Sequence, residues 1–187
     1  MDKTLKLLAL SDLFIVSGFG LISPIFGIFI KDNLIGGSIF FAGLATTIFL
    51  ITRAILQIVL SYKFQPRDRI WLLRLGTVMI ALTPFAYIFS TKVGHILIAQ
   101  FIYAVGASCA YPAWYSLFNS HSDKGKKGFQ WAIYNSTICL GTAVAAFFGA
   151  WLAQKTTFTI VFLLTGIMAI IGFIVLLFLE RSALKKT

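Results

Sequence analysis

The sequence predicts an all-α membrane protein with six transmembrane helices and both termini in the cytoplasm. Three observations carry that expectation. The first is composition: 59% of the 187 residues are hydrophobic and 12% are charged, against about 45–50% and 25% in soluble domains. The second is run length. Apolar stretches of roughly 20 residues recur along the chain, the length a helix rising about 1.5 Å per residue needs to cross a hydrocarbon core about 30 Å thick. Strands of a membrane barrel would instead alternate over about ten residues. The third is the placement of cations. Of 16 Lys and Arg, 12 fall on one side, in the N-terminus, the loops after the second and fourth spans, the C-terminus and, for Arg74, the inner end of the third span; Lys31, Lys92 and Lys155 fall on the opposite side and Arg53 inside a span. This is the positive-inside asymmetry. It accounts for a net charge of +10 by topology, with attraction to anionic headgroups second and no call for nucleic acid.

The spans follow in order as one domain over residues 1–187: about 11–30, 38–60, 71–89, 95–118, 129–153 and 158–179. Residues 1–10 read as a basic, apolar lead-in at the inner interface, and Ser11 and Asp12 as the start of the first helix. Pro24 and Pro112 mark helix bends, because proline removes an N–H and crowds the preceding turn. Each lies six residues before the end of its span, and the first and fourth spans run in opposite directions. The match predicts a 3+3 inverted repeat, a pattern of secondary transporters. The second span carries Thr46, Thr47, Thr52, Arg53 and Gln57. The sixth is apolar on every side, as a peripheral, lipid-facing helix would be. Trp71, Trp114, Trp131 and Trp151 lie toward span ends, as in an aromatic belt.

The chain shows no nucleophile with a base and an acid, no carboxylate pair, no phosphate-binding glycine loop and no metal-ligand spacing, so neither an enzyme nor a cofactor is expected. Cys109 and Cys139 read as small buried residues. His95 and His121 read as interfacial residues at opposite faces of the membrane.

Three constellations remain. Gln100, Tyr103, Ala107, Tyr111, Trp114 and Phe118 recur every three or four residues and share one helix face. A polar and aromatic face suits a cavity for a partly apolar solute; the alternative is bonding to neighbouring helices. Thr137, Gly141, Ala145, Gly149 and Ala153 form a small-residue ridge on the fifth span. Gly141, Ala145 and Gly149 are expected to meet a second copy or half, or else a helix of the same unit. Asp12 and Arg53 are the charges within spans and are expected to pair, with capping and snorkelling as the alternatives.

Several stretches resemble the major facilitator superfamily. GFGLISPIFGIFI is similar to that family's first helix and GASCAYPAWYSLF to its fourth. KGFQWAIYNSTICLGTAVAAFFGAWLA and TIVFLLTGIMAIIG are similar to its fifth and sixth. Between the second and third spans, SYKFQPRDRIWLLRLG keeps basic residues and Gly76 but lacks the leading Gly and the normally placed Asp of the family signature. The Gly-Pro of the family's antiporter motif is Ala145-Ala146 here. The resemblance covers one six-helix half of a twelve-span protein. It implies that the first and fourth spans line a pathway, the second and fifth meet the other half, and the third and sixth face lipid.

The expected function is therefore transport of a small-molecule solute across the cell (plasma or inner) membrane by a half-transporter working as a homodimer or with a second six-helix half. The alternatives are a non-transporting subunit or scaffold and a fragment of a twelve-span transporter.

Overall fold

The computed structural model describes residues 3–64 and 69–179. The cations counted at Arg67, Arg181, Lys185 and Lys186 lie outside the described residues. Seven helices occur among the described residues: α1 (Lys3–Ile22), α2 (Phe26–Asn33), α3 (Ile39–Lys63), α4 (Arg69–Ile88), α5 (Val93–His121), α6 (Lys127–Lys155) and α7 (Phe158–Leu177). Six of them are long and apolar enough to cross a membrane. The eight-residue α2 continues the first span. The only β-bridge among the described residues is isolated and joins Ile35 to Lys92. It ties two loops on one side through Ile35 N–H to Thr91 O (3.0 Å).

The two prolines act differently. Pro24 ends α1, and the chain turns through residues 23–25 before α2 begins. The turn is closed by Ile25 N–H to Ile22 O at 3.0 Å. Pro112 sits inside the unbroken α5, so the two prolines do not mark matching breaks. The expected lead-in is also corrected. Residues 3–10 are the first turns of α1, and Ser11 and Asp12 lie buried in its middle. Leu5 and Leu8 are fully buried, and burying their apolar area favours continuing the helix over leaving a surface strap.

The helices pack in the sequence α3, α5, α4, α7, α1, α6, each touching the next. Glycines set the closest approaches. A Cβ on Gly76 of α4 would run into the Gly106 carbonyl of α5, and one on Gly106 would sit 2.8 Å from Met79 Cβ. At the α1–α7 contact, a Cβ on Gly172 would lie 2.7 Å from Ser11 O. Hydroxyls reinforce these seams, where few other polar partners exist. Ser11 Oγ donates to Gly172 O (2.7 Å), and Thr165 Oγ1 donates to Gly18 O (3.0 Å). Arg74 of α4 donates from Nη2 to Leu177 O and Leu179 O at 3.3 and 3.1 Å. It thereby satisfies carbonyls that the end of α7 leaves without helical partners.

Burial divides the spans. In the apolar windows of α1, α4 and α5, 56% of residues are buried; the shares are 39% in α7, 11% in α6 and 6% in α3. The third span is buried on one side, at Leu72, Leu73, Ile80 and Ala81, and leaves Trp71, Leu75, Leu82 and Phe89 exposed as a stripe on the other. The sixth is half interior: Val161, Phe162, Thr165 and Ala169 are buried, whereas Leu163, Leu164, Ile167 and Ile170 are exposed. A helix apolar all round has no face marked by polarity, so the small residues Gly166, Ala169 and Gly172 decide which side neighbours can approach.

The ridge on α6 also finds its partner within the chain. A Cβ on Gly149 would overlap the Leu21 carbonyl of α1, one on Gly141 would lie 2.8 Å from Leu13 Cδ1, and Ala145 faces Gly20. Gly141, Ala145 and Gly149 are therefore the α1–α6 seam and are not free for a second copy. Their small side chains suit either partner, but α1 already fills the groove. Cys109 is buried as expected, but Cys139 is exposed, on the outward side of α6.

Candidate functional site

A cleft of about 450 Å³ lies between α3, α5 and α6, lined by Arg53, Gln57, Tyr111, Pro112, Trp114, Tyr115, Trp131 and Tyr134. Helical spacing builds it. Arg53 and Gln57 are four apart on α3, Tyr111 and Trp114 three apart on α5, and Trp131 and Tyr134 three apart on α6, so each pair shares a face. Arg53 and Tyr111 each lie ten residues from the ends of their helices, Lys63 and His121. At about 1.5 Å per residue, that is roughly 15 Å in from one end of the bundle.

The wall is an aromatic cluster. Trp114 stacks on Phe118 (5.0 Å, 21°) and packs on Tyr134 (4.7 Å). Trp131 meets Tyr134 at 5.3 Å and Tyr115 at 5.9 Å. Such contacts fix ring positions beyond what area burial supplies. Trp114 Nε1–H donates to Leu8 O at 3.4 Å, anchoring this wall to α1.

The two intramembrane charges stand at this cluster but do not pair. The Tyr134 hydroxyl donates to the Asp12 carboxylate. The Arg53 guanidinium lies over the Tyr111 ring, 4.3 Å from its centre, and 6.0 Å from that of Phe49. Among the described residues, the ion pair that forms is Lys31–Asp32 at 3.9 Å, on exposed side chains. The expected Asp12–Arg53 pair is corrected accordingly. Asp12 is already held by a hydroxyl from α6, and Arg53 is held by rings. Asp12 also borders a small cavity of about 20 Å³ shared with Thr77, Tyr111 and Trp114, room for one water by volume.

The predicted face of α5 divides in two. Tyr111 and Trp114 line the cleft; Gln100, Tyr103 and Ala107 do not. Tyr103 is clamped between rings, with Phe19 of α1 on one side (4.7 Å, 7°) and Phe49 of α3 on the other (4.5 Å, 23°). Ala107 is fully buried, and Gln100 is buried with its Oε1 unpartnered among the described residues. An unpaired buried acceptor costs more than a satisfied one. The three-ring stack lies eight residues along α5 from Tyr111, about 12 Å deeper. Sequence reasoning missed Gln57, Tyr115, Trp131 and Tyr134. Gln57 at i+4 from Arg53, and Tyr134 at i+3 from Trp131, were signals of a shared face.

A family model described as Major Facilitator Superfamily matches residues 8–187. Among solved structures, the chain is similar to the POT family transporter PepTSo, crystallised in meso, with a TM-score of 0.70 and 15% sequence identity. The match covers 95% of this chain and 37% of that one, so the chain spans little more than a third of the solved protein's length. No curated protein matches it.

Proposed function

The chain belongs to the major facilitator superfamily, and from that premise we propose that it moves a small solute across a cell membrane by alternating access, as a half-transporter paired with a second six-helix unit. One observation carries the reading: the aromatic cleft of about 450 Å³ beside the two most exposed spans, α3 and α6. Its volume falls in the range of about 300–1,000 Å³ typical of small-molecule sites. Its polar groups, Arg53, Gln57 and the tyrosine hydroxyls, would be costly against lipid tails. A second unit laid against α3 and α6 turns the cleft into an enclosed pathway. Its contact is the apolar outer surface of those helices, including Ile51, Ile55 and Ile58 on α3 and Leu140, Val144 and Phe147 on α6, all exposed.

The packing pattern supports a 3+3 inverted repeat. Exchanging the first three spans with the last three turns the α1–α7 contact into α5–α4 and the α1–α6 contact into α5–α3, and returns α4–α7 to itself; all of these contacts are made. The exchanged spans run in opposite directions, so the operation is a two-fold axis in the membrane plane. The charge asymmetry supports cytoplasmic termini. In this reading Tyr111 and Trp114 line the pathway, and the Phe19–Tyr103–Phe49 stack closes it beyond the cleft, with Ala107 between cleft and stack and Gln100 past the stack on the same helix. Opening that stack while the cleft end narrows is the alternation required.

The test is solute counterflow into proteoliposomes, with molar mass in lipid measured on the same preparation. Exchange of at least one solute class by a paired species is expected. A monomer that binds but never exchanges solute would refute the transporter and favour a non-transporting subunit.

A further inference from the structure

We propose that the cleft selects small organic anions, a carboxylate on a compact aromatic or apolar body, and that Arg53 reads the charge; this rests on the transport reading above. A guanidinium carries a permanent charge and five N–H donors. Inside a span, such a charge is tolerated where it meets an opposite charge or a wet cavity. Arg53 faces the cleft, and no protein carboxylate pairs with it among the described residues. The nearby acid, Asp12, is engaged by Tyr134. What holds the guanidinium is the Tyr111 ring at 4.3 Å. A cation–π contact fixes its position and leaves the N–H groups free for a carboxylate, which they match bidentately.

The other lining residues fit the rest of such a molecule. Gln57 stands one turn from Arg53, and Tyr111, Trp114, Tyr115, Trp131 and Tyr134 supply rings for an apolar body. Of the eight lining residues one is charged, and it is positive. Away from bulk water, that single charge favours anions and repels cations strongly. Arg53 lies about ten residues, roughly 15 Å, from the near end of α3. That depth places it away from lipid headgroups.

The full chain in nanodiscs of zwitterionic lipid is titrated with benzoate, benzamide and benzylamine, read by quenching of tryptophan fluorescence. Benzoate is expected to bind about tenfold or more tighter than benzamide, and benzylamine weakest. Arg53→Gln should erase the difference between benzoate and benzamide, and Arg53→Lys should keep part of it. Should Arg53→Gln not fold, Gln57→Glu places a carboxylate beside Arg53 and is expected to abolish the preference equally. Equal binding of all three probes, no benzoate binding tighter than about 1 mM, or a preference that survives Arg53→Gln would overturn the proposal. So would loss of the preference in discs of anionic lipid, which would assign Arg53 to headgroups. Proteoliposome flux separates the two readings. Selective benzoate binding without flux keeps the anion site and defeats transport. Flux of benzamide and benzylamine as fast as benzoate keeps transport and defeats the anion site.

Discussion

Helices α5 and α6 are neighbours in sequence, each 29 residues long, and their apolar windows have the same mean hydropathy of 1.6. Yet 56% of the α5 window is buried against 11% of the α6 window. Hydropathy alone does not separate an interior helix from one at the edge of a bundle, because lipid accepts the same side chains that a core does. What separates them is how many sides have a neighbour. α5 has α4 and α3 beside it and touches α1, whereas α6 leans chiefly on α1. The small residues of α5 are spread around its circumference, with Ala104, Gly106, Ala107, Ser108, Ala110 and Ala113 all buried. Those of α6 that are buried, Ala145 and Gly149, lie along a single line.

The largest effect expected from this contrast is at the α6 seam. Gly149→Leu forces a side chain into the Leu21 backbone and should destabilise the protein by on the order of 3 kcal/mol. Phe147→Leu, two residues away on the exposed side, should change stability by less than about 0.5 kcal/mol. Thermal unfolding in detergent, followed by size-exclusion chromatography, compares them. Equal losses would erase the distinction between the two sides of α6.

Next in size is the polar contact that joins α6 to α1. Tyr134→Phe leaves the buried Asp12 carboxylate without its hydroxyl donor and should cost about 1–3 kcal/mol. Combined with Asp12→Asn, the loss should fall below the sum of the single losses. Strict additivity in the same melting assay would dissolve the contact.

At the α4–α7 seam, Arg74→Met removes two charge-assisted hydrogen bonds to the end of α7, with an expected loss of about 1–2 kcal/mol. Amide exchange should quicken in the last turn of α7 and stay unchanged in α6. Uniform quickening would mean that Arg74 supports the whole bundle.

The smallest effect on stability concerns the outward side of α6. Cys139 is exposed and Cys109 buried. If the outward side of α6 meets a second copy, a bifunctional maleimide should link two chains through Cys139 in native membranes, and Cys139→Ser should abolish the product with stability unchanged within about 0.5 kcal/mol. Linking that persists in Cys139→Ser and disappears in Cys109→Ser would place the contact elsewhere.

The pair Tyr111–Trp114 was legible because helical spacing alone puts both on one face, whereas Arg53–Gln57 carried the same spacing and went unread as a site pair. Which helix each face would meet was not legible. Gly141, Ala145 and Gly149 make a groove that any helix can enter, and α1 enters it through Leu13, Gly20 and Leu21. Asp12 and Arg53 are opposite charges in spans of one chain, so pairing is the economical reading. The outcome turned on a tyrosine hydroxyl brought in from α6.

The sequence by itself determined the α-helical class, the six spans and the family, because bilayer thickness and backbone hydrogen bonding leave a long apolar segment one structure to adopt. Tertiary structure alone decided which spans are interior, which ring holds Arg53 and which hydroxyl holds Asp12. Within a membrane the hydrophobic term is nearly the same against lipid as against protein, so those choices rest on shape: where glycines let backbones approach and where a polar group finds its donor.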